Sequence, residues 1–418
     1  MKIQLFEQFA GGHHTNYIEA LLPELSELVN KKLVDEVIVT ITHKNYCSLQ
    51  AQKDLSEYSK LIQFDTSLPE VSPKTSLSQR RKVAANLMKA VSRISPNYLI
   101  STSADYESSI FAVKEFFKRQ TLPKTLHSSG IFHYGYAGAV ADYADYAKQL
   151  IYSFTWRNSP WSRLLTVNPI IYEDLVHQGN SLSKRIEVAP DPVPSSVYFD
   201  KETARKILNI PTDGRYIGFV GSMDNRKAIP EIIAAFKDAE LSSTDYLLLA
   251  GRLSPEYKQI IEREFTELIN KNRLIILDRH LTSNELIAGF CSVDVAAILH
   301  YKRPNLSENL LKAIAARRPV ITNNYGYTGM IVERFGVGWS CDVTDHQALV
   351  STLKRGLDES ESYVVNAKTE RLIQFHHPNN FANTMLLGLK DLLSLDSMNQ
   401  IKTWEWVFNP DNSGELKN

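Results

Sequence analysis

The stretch GFVGSMDNRKAIPEIIAAF, residues 218–236, joins a short apolar run to an amphipathic helical pattern through a polar loop carrying Arg226 and Lys227. A buried strand feeding straight into a helix is the unit of a parallel α/β sheet. The same grammar continues downstream. YLLLAG (246–251) precedes PEYKQIIEREFTELI, RLIILD (273–278) precedes SNELIAGFCSV, and DVAAIL (294–299) precedes RPNLSENLLKAIAARRPVITNNYGYTG, residues 303–329. That last stretch reads as a polar loop, a helix rich in Leu and Ala, a short strand and a glycine turn, with GVGWSCD (336–342) after it.

Upstream the alternation is also present. KIQLFEQF (2–9) ends in GGHH and leads into TNYIEALLPELSELV, and DEVIVTIT (35–42), NYLIST (97–102), KTLHSS (124–129) and LLTVN (164–168) are further strand candidates. Each has an apolar body and a polar C-terminal end, the end at which open α/β sheets present groups to a ligand. Between the two series, IEVAPDPVPSSVYF is punctuated by proline and reads as a linker. At 418 residues the chain exceeds one ordinary core, so two domains are expected. The tail holds the helical pattern NFANTMLLGLKDLLSL, then TWEWVF and a polar end, 411–418, expected to fray.

Lys plus Arg and Asp plus Glu both number 47, so no overall field favours nucleic acid, and SQRRK (78–82) reads first as a solvated face. Cys47, Cys291 and Cys341 stand far apart without metal spacing and fit a reducing, cytoplasmic setting. No window reaches eighteen uninterrupted apolar residues, and the first residues lack a signal-peptide core. No Asp-x-Asp stands in a strand-end loop, and the adjacent histidine pairs at 13–14 and 376–377 suit a metal poorly.

Two cations and a helix N-terminus on one strand-end edge make a diphosphate site, because free amides and the helix dipole favour anions. Lys227 is the leading cation; the alternative is a solvated helix-start lysine. Arg226 is adjacent in sequence, so its side chain diverges, and Arg252 ends the next strand. The amides of Ser307, Glu308 and Asn309 are the safest phosphate ligands. Glu308 has structural alternatives: a capping box with Asn305, or an ion pair with Lys312 four residues on. Gly326 and Gly329 either let backbone approach a ligand or serve turn geometry.

Residues 165–345, together with VAPDPVP, resemble the family-4 glycosyltransferases of the GT-B fold, several motifs standing in the right order. The resemblance implies an α/β chain of two facing Rossmann-like domains with a cleft between them. An acceptor-side domain would cover 1–190 and a donor domain 191–394, a C-terminal helix at about 395–410 crossing back. It implies a retaining, metal-independent transfer from a nucleotide-sugar (UDP, GDP or ADP undecided), with no further cofactor, to a carbohydrate or glycolipid acceptor. The aromatic and basic residues of DYAKQLIYSFTWRNSPWSRLL (145–165) could meet such an acceptor at a membrane surface, or be ordinary core and loop.

Gly221 and Lys227 keep the family's six-residue spacing, while Ser222 replaces its arginine. The family's paired glutamates fall at Pro304 and Lys312 when counted back from PVI (319–321), so the pair is lost. An ammonium cannot accept the ribose hydroxyls that a carboxylate accepts. The family's N-terminal-domain histidine maps to His127, with His133 as rival, and Gly11 and Gly12 match its glycine loop. His13 and His14 are acceptor-side or surface groups in that frame. Loss of the glutamates leaves a non-catalytic relative as an alternative, and a sugar-nucleotide epimerase as another.

Overall fold

The computed structural model describes residues 1–72, 76–119, 121–133, 143–177, 179, 181–193, 198–301, 306–395 and 401–410. The capping role considered for Asn305, the family position at Pro304 and the fraying of 411–418 lie outside the described residues. The chain separates into two compact units, 1–194 with 374–418, and 195–373.

The first unit carries a parallel seven-stranded sheet. Its strands are β1 (Lys2–Glu7), β2 (Glu36–Thr42), β3 (Ile62–Leu68), β4 (Tyr98–Ser101), β5 (His127–Phe132), β6 (Arg163–Thr166) and β7 (Ile186–Val188), in the order β3-β2-β1-β4-β5-β6-β7. The second unit carries a parallel six-stranded sheet of β8 (Arg215–Val220), β9 (Asp245–Ala250), β10 (Leu274–Leu277), β11 (Val295–Ile298), β12 (Val320–Asn323) and β13 (Gly338–Cys341), in the order β10-β9-β8-β11-β12-β13.

Helices cover both faces, so central strands such as VAAI in β11 are buried along their whole length. In each sheet the strand order reverses beside the first strand, between β1 and β4 and again between β8 and β11. The C-terminal ends flanking such a reversal are where open α/β sheets bind ligands.

Two sequence expectations shift. The helix Pro378–Leu392, assigned above to the second domain, packs in the first unit, and the return therefore begins before residue 395. Its buried face, Phe381, Met385, Leu386 and Leu389, joins Tyr17, Ile18 and Leu21 of the helix His13–Asn30 in one core. Tyr17 and Phe381 stack with ring centres 4.9 Å apart. Beyond it, Trp404 is buried in the same unit and its Nε1 donates to Glu173 at 2.8 Å. The linker residues Ile186–Val188 are the last strand of the first sheet.

Candidate functional site

In the second unit, β8 ends at Gly221 with φ +110, a conformation that disfavours any side chain. A Cβ there would lie 2.8 Å from Asn309 Nδ2, the atom that donates to the Val220 carbonyl at 2.8 Å. Asn309 therefore fastens the first turn of the helix Glu308–Ala315 to the end of β8, a role its sequence position did not announce. Gly251, at the end of β9, has φ +137, and a Cβ there would meet the Gly221 carbonyl at 2.1 Å. The two glycines let neighbouring strand ends approach this closely.

Lys227 is 6 % exposed and His300, just after β11, 2 % exposed. The loop around Lys227 pairs with the chain after β11: Ala228 N donates to Leu299 O at 3.4 Å and Tyr301 N to Arg226 O at 3.1 Å. Lys227 Nζ reaches His300 Nε2 in direct hydrogen-bond contact. Tyr257 Oη donates to the Lys227 carbonyl at 2.5 Å. The solvated-lysine alternative is excluded by this burial.

Arg226, by contrast, is exposed and grips Asp224 at two points, Nε to Oδ1 at 2.8 Å and Nη2 to Oδ2 at 2.6 Å. Those Arg226 hydrogen bonds hold the Asp224 carboxyl down to about 2. Ser222 and Arg252 are exposed beside the strand ends. Ser307 is the buried N-cap of the Glu308–Ala315 helix and makes no side-chain cap, leaving the first-turn amides of Glu308 and Asn309 without that cap. Glu308 accepts from Lys312 Nζ at 2.7 Å, the ion pair considered above. Gly326, φ +69, opens the helix Gly326–Phe335 that follows β12. Gly329 serves packing, since a Cβ there would meet Asn324 C at 2.7 Å.

In the first unit, Gly11 and Gly12 turn with φ +84 and +55 between β1 and the helix His13–Asn30. His13, His14 and His133 gather there: ring centres lie 4.1 Å apart for His13 and His14, 4.7 Å for His13 and His133. Each of two rings is held by a buried carboxylate. Asp105 Oδ2 lies 3.2 Å from His133 Nδ1 and accepts the His133 amide at 2.6 Å. His133 Nε2 is buried with no hydrogen-bond partner among the described residues. Tyr17 lies parallel to the His133 ring at 5.6 Å.

Glu7, at the end of β1, lies 3.1 Å from His14 Nδ1 and accepts from Thr102, Ser103 and the Phe9 amide at 2.7, 3.0 and 2.8 Å. Burial presses the Glu7 pKa upward, but the His14 charge and these hydrogen bonds outweigh it and hold the carboxyl below its ordinary value. Burial likewise pushes His14 down, and Glu7 overrides it, leaving the ring above the ordinary histidine value. Beside them Glu107, fully buried, is pushed up to about 8 by that burial; Ser101 Oγ donates to its Oε1 at 2.7 Å, and its Oε2 has no partner among the described residues.

The placement of His127 is a correction. The strand is His127–Phe132, so His127 opens β5 instead of closing it and stands exposed at the N-terminal end of the sheet. There it lines a cavity of about 310 Å³ with Tyr98, Ser162, Arg163 and Asp391, at the opposite end from the glycine loop. The strand extends because Gly130 fits where a Cβ would meet Trp161 at 2.9 Å, and Ile131 and Phe132 are buried beyond it. His133, the rival, stands at the C-terminal end.

Sequence reasoning missed His300 and left Glu7, Asp105 and Glu107 unassigned. The signal for Glu7 was a carboxylate closing the first strand; Asp105 and Glu107 open a helix just after β4. His300 offered none beyond its place after DVAAIL.

Residues 200–373 match the model of the glycosyl transferases group 1 family, close to the limits of the second unit. No curated protein matches the chain by sequence. Among solved structures, a sucrose-phosphate synthase from Thermosynechococcus elongatus is similar at 17 % identity and a TM-score of 0.66, covering 95 % of this chain and 100 % of its own. HepE of Anabaena, in complex with UDP-glucose, is similar at 14 % identity and TM-score 0.60, with 94 % and 100 % covered. WaaG, a glycosyltransferase involved in lipopolysaccharide biosynthesis, gives 15 % and 0.60, with 92 % and 99 % covered. At such identities the likeness establishes the fold: two parallel α/β sheets of the GT-B kind.

Proposed function

We propose that this chain, whose second unit is a group 1 glycosyl transferase domain, moves a hexosyl group from a nucleotide-sugar to an acceptor hydroxyl with retention and without a metal. The observation that carries the reading is a buried lysine, Lys227, following β8 at the strand-order reversal of the second sheet, on the sheet edge after whose strands β11 and β12 the helices Glu308–Ala315 and Gly326–Phe335 begin. In this reading Lys227 takes the donor diphosphate and stabilises the leaving group, which is the larger share of such catalysis. Amides at Ser307, Glu308, Asn309 and Gly326 contribute hydrogen bonds, with Gly221 giving room for the backbone and Ser222 and Arg252 at the rim. Arg226 acts through Asp224, since its fork is engaged there.

The first unit supplies the acceptor side through His13 and His133, while Gly12, in its glycine loop, is assigned to the donor. His133 takes the role first mapped to His127, because it stands at the ligand-binding end of the sheet and Asp105 orients its ring. The acceptor class is a carbohydrate or glycolipid, and the setting cytoplasmic, with a membrane surface within reach when the acceptor is a lipid. Three free cysteines fit that setting. Among the described residues no helix is long and apolar enough to cross a membrane. Because HepE was seen with UDP-glucose, UDP is the first nucleotide to try.

The test is thermal stability with UDP, GDP and ADP, with and without magnesium, on wild type and Lys227→Ala. A magnesium-independent shift with one nucleotide, lost in the variant, is expected. No shift with any nucleotide at millimolar concentration refutes the donor site and favours a non-catalytic relative.

A further inference from the structure

We propose that a cavity of the first unit holds the alkyl chain of an amphiphilic ligand, which makes the acceptor a lipid-linked one. The inference rests on the acceptor role proposed for this unit and deepens it by naming the acceptor's class.

The cavity measures about 300 Å³ and is lined by residues of the helices Leu77–Ile94, Asp105–Phe116 and Tyr143–Arg157 and by the last residue of β5. Its walls have two characters. Leu77, Phe132, Ile151 and Trp156 give it apolar surface, Phe132 and Trp156 meeting edge to face with ring centres 5.6 Å apart. Arg80, Asp105 and Ser109 stand together, since Arg80 Nη1 donates to the Asp105 carbonyl at 2.8 Å and to Ser109 Oγ at 3.3 Å. The Asp105 carboxylate is the one that accepts the His133 amide, so the polar part of the cavity adjoins the acceptor-side histidines. Trp156 is 4 % exposed, and its Nε1 is buried with no acceptor among the described residues. A buried indole N–H ordinarily has a partner, and a hydroxyl oxygen of a bound ligand is a fitting one.

The mouth is apolar as well. Leu77 and Ile151 line the cavity and are yet 56 % and 62 % exposed. Leu150 beside Ile151 is exposed too, and one turn further along that helix Phe154 packs on Phe116 with ring centres 5.4 Å apart. Phe116 and its neighbour Phe117 are themselves exposed. Exposed apolar surface that runs into a cavity marks a ligand groove. A ligand polar throughout would gain nothing from these walls, whereas an alkyl chain leaves water along its whole length there. The polar cluster then receives the head of the molecule, on the side of His133.

The measurement is calorimetric titration with butyl, hexyl, octyl, decyl and dodecyl β-D-glucosides, each below its micelle concentration. It uses wild type and the double variant Leu77→Gln, Ile151→Gln, whose changed side chains stand outside the buried core. Wild-type affinity is expected to rise by up to about fourfold per added methylene through octyl, and to level off by dodecyl once the cavity is filled. The variant is expected to bind octyl glucoside at least about tenfold more weakly, with butyl glucoside changed by less than about twofold. Absence of binding, or an affinity independent of chain length, overturns the proposal. Equal profiles in the two proteins overturn it too, because they mark adsorption elsewhere on the surface. The nucleotide melts are read separately. A nucleotide shift without glucoside binding leaves the donor site standing and removes the lipid-linked class. Glucoside binding that levels off, with no nucleotide shift, supports the cavity and refutes the donor reading alone.

Discussion

Glu107→Gln isolates the electrostatic cost stored at the strand ends of the first sheet. The Glu107 carboxyl is fully buried, and burial pushes it from 4.5 to about 8, with Glu7 and Asp105 adding in the same direction. A raised carboxyl keeps its proton in the folded chain while the unfolded chain gives it up, so stability falls as pH rises from 4.5 and levels off above 8. At pH 7 the accumulated loss is about 3 kcal/mol, taking roughly 1.4 kcal/mol for each pH unit above 4.5. Glutamine keeps the oxygen that accepts from Ser101 Oγ and does not titrate. Its amide group sits where Glu107 Oε2 has no partner among the described residues, which adds a constant penalty of about 1–3 kcal/mol at every pH. The pH dependence is therefore the readout. Urea unfolding of both proteins at pH 4.5, 5, 6, 7 and 8, followed by hydrogen exchange in β1 and β4, should show the variant gaining about 3 kcal/mol on wild type between pH 4.5 and 7. A difference that stays constant over that range refutes the reasoning, because it would mean Glu107 is ionised in the fold.

His14→Gln should act on the alkaline side. The Glu7 contact raises His14, so its stabilisation is complete below about 6.5 and is lost as pH rises through the higher folded value; the wild-type-minus-variant stability should shrink across pH 6.5–8 in urea melts. Gly221→Ala should cost about 2 kcal/mol, since φ +110 strains any side chain and its Cβ would press on the amide that holds Val220 O. Circular dichroism against urea reads it, and an unchanged midpoint would place the turn elsewhere. With a donor and acceptor in hand, His133→Asn should slow transfer by at least about 100-fold while His127→Ala stays within about threefold. The reverse order would restore His127 to the role first mapped to it.

The alternation of apolar runs and amphipathic helices is legible wherever a strand is buried on both faces, as in VAAI or LLLA, because such runs cannot be surface. β3 escaped because IQFDTSL lies at the sheet edge and is buried only at its ends. The helix Pro378–Leu392 was legible as a helix, but its partner was not: an apolar face states that something covers it, and only the fold says that Tyr17 and Ile18 do. His127 was misplaced for the same kind of reason. Strand limits depend on neighbours, here the indole of Trp161 against Gly130, and a shift of three residues moved the histidine to the opposite end of the sheet.

Lys312 shows where spacing alone stops. Read in sequence, a cation replaces the carboxylate that a ribose would need, and the site looks broken. In the fold Lys312 sits on the second turn of the Glu308–Ala315 helix with its charge spent on Glu308, in the order that favours such a pair. The edge it borders still offers two helix N-termini, the Gly221 turn and a buried lysine in contact with a histidine. Helix N-termini and cations bind phosphate without a carboxylate, whereas an ammonium cannot accept the hydrogen bonds that ribose hydroxyls donate. The substitution thus separates two functions that the spacing treats as one. Phosphate contacts should survive and sugar-hydroxyl contacts should have moved, so nucleotide diphosphates are the right first ligands and intact nucleotide-sugars the second.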